Sequence, residues 1–220
     1  MTTIRPLRFD ASYGDLALTV HPVAVSLPDG VALVDVGPPG AVPALEGAIE
    51  RAGLTLDDVR VVVLTHHDGD HVGALPALQS ALERPAVVCA HEREVPYIEG
   101  ERDPLIEREP ISATSVDVTL QDGDTLRTTG GPMRVVETPG HSPGHCSLYL
   151  GTDRTLIAGD AVVSDGELSL EGPREAYTPD MEQALASVRR LSEFDVERTV
   201  CFHGGAVAEG TDALRSIGTV

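Results

Sequence analysis

A short segment in the first third of the chain concentrates side chains that bind metal ions. From Thr65 to His71 the chain reads THHDGDH, which places five potential ligands within six residues. Imidazole and carboxylate groups are costly to bury unless they are paired or coordinated, so such density in a plain polar loop is rare. The spacing predicts that His66 and Asp68 share one ion and that Asp70 and His71 reach a second ion beside it.

Three further candidate ligands recur downstream. His141, Asp160 and His203 each follow a β-rich run and lie next to a glycine. Loops at strand ends, held by a rigid scaffold, are where binding residues usually lie. One such histidine alone is typical of a turn or a cap, but their recurrence after the first cluster predicts a metal site supplied by four segments.

Taken together, these motifs resemble those of the metallo-β-lactamase superfamily. That family carries the pattern His-x-His-x-Asp-His, followed along the chain by a His, an Asp and a final His. The resemblance extends from Asp35, in the stretch VDVG, to His203. It implies an α/β fold, the four-layer αββα sandwich of two mixed β-sheets with outer helices, as one domain over residues 1–220. The combined motifs are highly specific for this fold, but they carry little information about the substrate.

The resemblance also implies a ligand set. It assigns the first metal to His66, position 68 and His141, the second to Asp70, His71 and His203, and a bridging role to Asp160. Two divalent ions are expected, zinc first, with manganese or iron as alternatives. One departure is clear, because Asp68 stands where the family has its second histidine and His67 is shifted by one. A carboxylate is a harder donor than an imidazole and loosens the preference for zinc.

The chemistry implied by this site is hydrolysis. Two metals sharing a hydroxide lower its pKa toward neutrality, so that it can attack a carbonyl, and the second metal stabilises the developing oxyanion. Asp70 is the candidate catalytic residue, because this Asp often orients the hydroxide in the family. The expected substrate is an ester, thioester or lactone of a small molecule. An iron-dependent redox enzyme, a phosphodiesterase and a non-catalytic metal scaffold remain as alternatives.

Four neighbouring residues are candidates for supporting roles. Asp35 either hydrogen-bonds to a ligand histidine, which would fix its tautomer, or caps the turn before Gly37. His145 lies four residues after His141 and either supports the site or caps a turn. His67 and Tyr177 complete the set, although Tyr177 could equally be a packed rim residue.

Named branches of the family differ from this chain at testable positions. β-Lactamases have Cys or Ser at the position of Asp160, and acyl-homoserine lactonases have Tyr where this chain has Val163. Glyoxalase II enzymes hold glutathione with basic side chains after the last motif, whereas this chain has no lysine and little sequence after His203. A small glyoxalase II-like or lactonase-like hydrolase remains the preferred interpretation.

Composition limits the partners. The net charge is −19, which repels phosphate backbones, so nucleic acid is not an expected partner and a small molecule is. No stretch approaches the roughly 20 apolar residues of a membrane span, and no signal peptide is recognised, so a cytoplasmic location is expected. Cys89, Cys146 and Cys201 lie far apart in apolar runs and predict buried thiols in a reducing compartment. The oligomeric state is not predicted.

The elements that must position these residues follow from periodicity and turn residues. The predicted helices are Ala41–Ala52, Gly73–Leu82, Asp180–Phe194 and Ala208–Ile217. The predicted strands are Leu16–Leu27, Val31–Val36, Arg60–Leu64, Ala86–Ala90, Val116–Leu120, Thr125–Leu126, Met133–Thr138, Cys146–Leu150, Thr155–Ala158 and Arg198–Phe202. The stretch His91–Pro110 is charged and broken by prolines, which predicts an irregular surface excursion. Two mixed sheets with helices outside satisfy this order.

Overall fold

The computed structural model describes residues 3–106, 112–166 and 169–219. The chain divides into two compact units, Met1–Leu120 and Gln121–Val220. Each unit contains a six-stranded sheet with parallel and antiparallel pairs, accompanied by helices. The predicted mixed α/β character is therefore present in both units. The assignment of residues 1–220 to one domain stays a prediction.

In the first unit, two neighbouring strands of the sheet run in parallel and have their carboxyl ends at the same edge. Its strands are β1 (Ile4–Pro6), β2 (Phe9–Tyr13), β3 (Leu16–Val20), β4 (Val23–Leu27), β5 (Gly30–Val34), β6 (Val59–Leu64), β7 (Val87–His91) and β8 (Val118–Leu120). Its helices are α1 (Val42–Arg51), α2 (Gly69–Val72), α3 (Leu75–Ala81) and α4 (Val95–Ile98). The apolar strands β5 and β6 are largely buried and pair in parallel. Their carboxyl ends therefore bring Asp35 and Thr65 to the same edge.

The second unit repeats this arrangement with its own sheet. Its strands are β9 (Thr125–Thr128), β10 (Gly131–Glu137), β11 (Cys146–Leu150), β12 (Thr155–Gly159), β13 (Val163–Ser164), β14 (Leu170–Glu171), β15 (Arg198–Cys201) and β16 (Gly205–Val207), and its helices are α5 (Met181–Leu191) and α6 (Thr211–Gly218). Strands β12 and β15 pair in parallel, so Asp160 and His203 follow neighbouring strand ends. Val188 and Leu191 of α5 pack into a core cluster with Leu156 of β12.

Two predicted elements are clearly different in the structure. The expected strand Leu16–Leu27 is divided between β3 and β4, which belong to different sheets and are separated by His21 and Pro22. The expected surface excursion His91–Pro110 is wrong in its first half, because His91 and Glu94 are fully buried and α4 contributes the buried Ile98. Pro110 lies outside the described residues.

The sequence predicted free cysteines and no membrane-spanning segment, and both can be compared with the described part of the chain. The three cysteines are buried and form no disulfide, as predicted. Within residues 3–106, 112–166 and 169–219, no helix combines the length and apolar character needed to cross a bilayer.

Candidate metal centre

The first cluster of candidate ligands begins in the loop after β6 and continues into α2. His66 and His71 are fully buried, and Asp70 is 7% exposed. The rings of His66 and His71 lie 4.1 Å apart between centroids. Nitrogen or carboxylate atoms that could bind metal lie within 4.8 Å of each other in the pair His66 and Asp68 and in the pair Asp70 and His71. The first unit thus groups four acid and imidazole side chains tightly enough to share ions.

The backbone of this loop is held by the turn after β5. The N–H groups of Val36 and Gly37 both donate to the carbonyl of His71, at 2.9 and 3.2 Å. The carbonyl of Gly37 accepts from Ala74 N–H at 2.9 Å. These bonds anchor a four-residue helix that is too short to be stable by itself. The sequence did not predict α2, and its helical form comes from this anchoring.

Asp35 connects the two strand ends through its carboxylate. The side chain is 2% exposed and accepts from Thr65 N–H at 2.9 Å, from the Thr65 hydroxyl at 2.8 Å and from His71 Nδ1 at 2.9 Å. Its φ of +59° lies in the left-handed region, which Asp tolerates better than most side chains. The residue therefore has an uncommon backbone conformation, and both oxygens of its carboxylate accept hydrogen bonds.

This network determines which nitrogen each histidine presents. His71 donates from Nδ1 to Asp35, which leaves the Nε2 lone pair for a metal. The Thr65 hydroxyl gives its proton to Asp35 and so accepts from His66 Nδ1, 3.0 Å away. His66 is thereby also the tautomer with a lone pair on Nε2. One buried carboxylate sets both rings, directly for His71 and through Thr65 for His66.

The irregular member of the motif, Asp68, lies at the N-cap position of α2. Its carboxylate makes no capping hydrogen bond to that helix. Its Oδ2 lies 3.6 Å from His66 Nε2, and the side chain is 17% exposed. A capping role, the ordinary explanation for Asp before a helix, is therefore not what holds this side chain.

In the second unit, the candidate ligands His141 and His203 both lie close to the third candidate, Asp160. Asp160 Oδ2 lies 3.8 Å from His141 Nε2 and 3.5 Å from His203 Nε2. The three side chains are 4–13% exposed. Both imidazole nitrogens therefore lie near the same carboxylate oxygen of Asp160. Burial, followed by the negative charge of Asp160, raises the pKa of the nearby Cys201 thiol above its ordinary value.

His145 supports Asp160 from behind. Its Nε2 accepts from the Asp160 backbone N–H at 2.9 Å, so its proton is on Nδ1, which lies 2.8 Å from the Thr138 hydroxyl. The chain continues from Thr138 to the Ser147 hydroxyl at 3.1 Å and from Ser147 to the carbonyl of Ala158 at 3.0 Å. Both nitrogens of this fully buried ring are hydrogen-bonded, so coordination by His145 would break the chain.

The loop that carries His141 rests directly on α5. Asp180 N–H donates to the carbonyl of Gly140 at 3.1 Å, and the Ser187 hydroxyl donates to the carbonyl of Pro139 at 2.7 Å. A Cβ at Gly140 would lie 2.3 Å from the backbone nitrogen of Ala184, and its φ is +132°. Only glycine fits this contact without displacement.

Two remaining candidates, Tyr177 and His67, were expected to support the site rather than to bind metal. Tyr177 is half-buried in the 3₁₀ turn Glu175–Tyr177, and its supporting role stays a prediction. His67 is 1% exposed and contacts the buried Glu94. Sequence reasoning missed Glu94, because an acidic residue in a charged stretch carries no signal of burial.

Comparison with known proteins defines the family. The family model for the metallo-beta-lactamase superfamily matches residues 18–203. The chain belongs to the metallo-beta-lactamase superfamily. It is 30% identical to a probable metallo-hydrolase of Bacillus subtilis (strain 168), over 89% of this chain and 86% of that protein. It is 32% identical to a hydroxyacylglutathione hydrolase of Rhodopseudomonas palustris (strain BisB5), over 76% of this chain and 56% of that protein.

Solved structures agree with this membership of the metallo-beta-lactamase superfamily. A metallo-beta-lactamase family protein from Thermus thermophilus matches with a TM-score of 0.74 and 26% identity, over 99% of this chain and 78% of that one. A metallo-beta-lactamase from Pontibacter korlensis matches with a TM-score of 0.74 at 20% identity, over 100% of this chain and 96% of that one. The predicted fold class and the prediction of a superfamily enzyme are confirmed.

The residues of this superfamily member fit a metal cofactor. Its donors are imidazole nitrogens, two of which belong to rings hydrogen-bonded at the opposite nitrogen (His66 and His71), together with partly buried carboxylates. Imidazole and carboxylate are the ligands that zinc and other first-row divalent ions accept. The hydrogen bonds to Nδ1 of His66 and His71 are the outer supports that usually accompany ligand histidines.

Proposed function

We propose that this chain is a dinuclear metal-dependent hydrolase of small-molecule carbonyl compounds. Two divalent ions are held by the following residues of one domain: His66, Asp68, Asp70, His71, His141, Asp160 and His203. When bound, such ions activate water as a nucleophile and polarise the attacked carbonyl. The observation that carries the proposal is the Asp35 network, which turns Nε2 of both His66 and His71 into acceptors suited to a cation.

The side chains of the chain contribute position and charge to this reaction. Asp70, 7% exposed at the start of α2, is proposed to orient the attacking water through its carboxylate. Asp160 is proposed to bridge the ions, which is supported by its similar distances of 3.8 and 3.5 Å to His141 and His203. The hydrogen bond from Asp160 N–H to His145 fixes the backbone at that point. The clustered carboxylates favour cations and oppose the binding of an anionic nucleophile without them.

The proposed cofactors are zinc or, because of Asp68, manganese or iron. A carboxylate in place of an imidazole makes the first site harder and more negative, which favours the harder ions relative to a histidine-only set. We expect protein purified without added metal to contain a mixture at that site. Stoichiometric zinc at both sites would contradict the mixed-metal part of the proposal and leave the hydrolase part standing.

The proposed substrates are small esters, thioesters or lactones. The similarity to a hydroxyacylglutathione hydrolase supports a thioester, although this chain spans 56% of that relative. The net charge of −19 disfavours a polyanionic substrate.

The test is a panel of lactones, thioesters and phosphodiesters assayed with added zinc or manganese, and after chelation. We expect carbonyl substrates to be hydrolysed, with activity lost on chelation. Asp160→Ala and His71→Ala should abolish activity and remove the second metal. Asp153→Asn is the matched control for Asp160, because this exposed residue precedes the opposite end of β12.

Each result of this panel decides between functions. Full activity in Asp160→Ala would overturn the bridging role. Turnover of phosphodiesters alone would favour a phosphodiesterase. A coloured, iron-containing protein without hydrolytic activity would favour the redox alternative.

A further inference from the structure

A buried pair outside the proposed ligand set holds the centre of the metal loop. His67 lies between two proposed ligands, His66 and Asp68, and is 1% exposed. Glu94, which precedes α4, is fully buried. A fully buried carboxylate is rare unless a specific partner holds it, and here the partner is His67.

Glu94 contacts His67 at two points. Its Oε2 accepts from the His67 backbone N–H at 3.0 Å, and the same oxygen pairs with the ring Nδ1. The other ring nitrogen, Nε2, lies 3.4 Å from Leu105 N–H, which donates to it. His67 is therefore the tautomer protonated on Nδ1, and both ring nitrogens are used. This explains why the histidine next to the motif position cannot serve as the ligand that Asp68 replaces.

The ring of His67 is also fixed by stacking. Tyr97 of α4 lies 4.2 Å from it between ring centroids, with an interplanar angle of 13°. The guanidinium carbon of Arg102 lies 5.8 Å from the centroid of the Tyr97 ring. The N–H of Tyr97 donates to the carbonyl of Glu94 at 3.0 Å, so the stacking residue and the carboxylate belong to one hydrogen-bonded turn. Residues of the turn after β7 thus contact His67 at three points: Glu94 at its backbone N–H and ring Nδ1, and Tyr97 at its ring face.

We propose that Glu94 is a positioning residue for the first metal site and acts through His67. This inference rests on the proposed function, because it assumes that His66 and Asp68 bind metal. The peptide groups on either side of His67 set the directions of these two side chains. Fixing the His67 N–H and ring restricts both peptides, so Asp68 is pre-oriented for a cation before one arrives. Residues that orient ligands in this way typically change metal affinity by about 10–100-fold when removed.

The test compares metal binding by this 220-residue chain with metal binding by its variants. Apoprotein is titrated with Co²⁺ and with Zn²⁺ against a competing chelator, and the visible spectrum of the Co²⁺ form reports the coordination geometry. Glu94→Ala should lower the metal affinity of the first site by about 10–100-fold and change the Co²⁺ spectrum. Glu94→Gln keeps an oxygen acceptor for both His67 donors and should restore most of the affinity. If Glu94→Ala fails to fold, Glu94→Asp, which withdraws the carboxylate by one methylene, takes its place and should also weaken the first metal.

Glu99→Ala is the matched control. Glu99 follows α4 and accepts from Val116 N–H at 2.9 Å, a comparable link that does not involve the metal loop. It should leave both metal affinities and the Co²⁺ spectrum unchanged. Unchanged first-site affinity and spectrum in folded Glu94→Ala or Glu94→Asp would overturn the positioning role. Failure of the wild-type protein to bind metal would instead overturn the proposed function, so the two failures are distinguishable.

Discussion

The substitution Asp35→Asn isolates the role of one carboxylate in the metal loop. Asn tolerates the φ of +59° at this position nearly as well as Asp, so the change adds little backbone strain. An amide oxygen can replace only one of the two carboxylate oxygens. If it stays with Thr65 N–H, the amide nitrogen faces two donors, the Thr65 hydroxyl and His71 Nδ1.

The magnitude follows from this conflict. Hydrogen bonds to a charged group contribute about 1.5–3 kcal/mol each, and two are lost. His71 can relieve one of them by moving its proton to Nε2, where it would block metal binding. We therefore expect metal affinity at the second site to fall by about 10–100-fold, or roughly 1.4–2.8 kcal/mol. The stability of the apoprotein should fall by about 1–3 kcal/mol, because part of the loss is relieved by rearrangement.

The assay is a chelator competition for metal affinity combined with urea unfolding of the apoprotein. Asp35→Gly is the companion variant, since it removes all three acceptor contacts without strain at positive φ. Asp29→Asn is the control, because this exposed residue precedes the opposite end of β5. If Asp35→Asn destabilises the apoprotein but binds both metals with wild-type affinity, the tautomer argument is refuted and Asp35 is only a fold-stabilising residue.

Three further predictions test other parts of the molecule. Gly140→Ala should cost about 2–4 kcal/mol in urea unfolding, because its Cβ would meet the backbone of Ala184 at 2.3 Å; a loss below about 0.5 kcal/mol would contradict the close packing. Burial is the largest single influence and would raise the pKa of Asp122, but the hydrogen bonds from Arg190 and from Glu137 N–H, together with the charges of Arg190 and Arg134, outweigh it and hold that pKa below its ordinary value. At pH values above the ordinary carboxyl pKa, the Asp122–Arg190 pair should therefore add about 0.5 kcal/mol to the free energy of unfolding. This contribution is lost as the pH falls through the folded-state pKa of Asp122. Asp122→Asn should remove it, which urea unfolding measured as a function of pH would detect. Burial, with the charge of Asp117 second, raises the pKa of the Cys89 thiol to about 11, so native protein at about pH 8 should resist alkylation until unfolded; rapid native labelling at Cys89, identified by mass spectrometry, would contradict this.

The sequence predicted the donors and the strands that present them because both are local signals. A continuous run of β-branched residues identifies β6, and the ligand-rich segment follows it directly. The same holds for Asp160 after β12 and His203 after β15. The spacing of these residues was sufficient to recognise the metallo-beta-lactamase superfamily.

Contacts between distant segments could not be obtained in this way. The four-residue α2 contains Gly69 and has little helical propensity, and it is held by N–H groups from the turn after β5. Glu94 lies in a charged, proline-broken stretch that was expected on the surface, yet it is fully buried against a residue 27 positions away. No local pattern distinguishes such a carboxylate from a solvated one.

The sequence by itself therefore determined which atoms are available to bind metal and where along the chain they occur. The tertiary structure decided which nitrogen each histidine presents and which carboxylate supports it. Asp35 shows the difference, since its two possible roles are equal in sequence and the contact with His71 spans 36 residues. The physical reason is that a tautomer is set by the hydrogen bond at the opposite ring nitrogen, and that partner comes from another strand end.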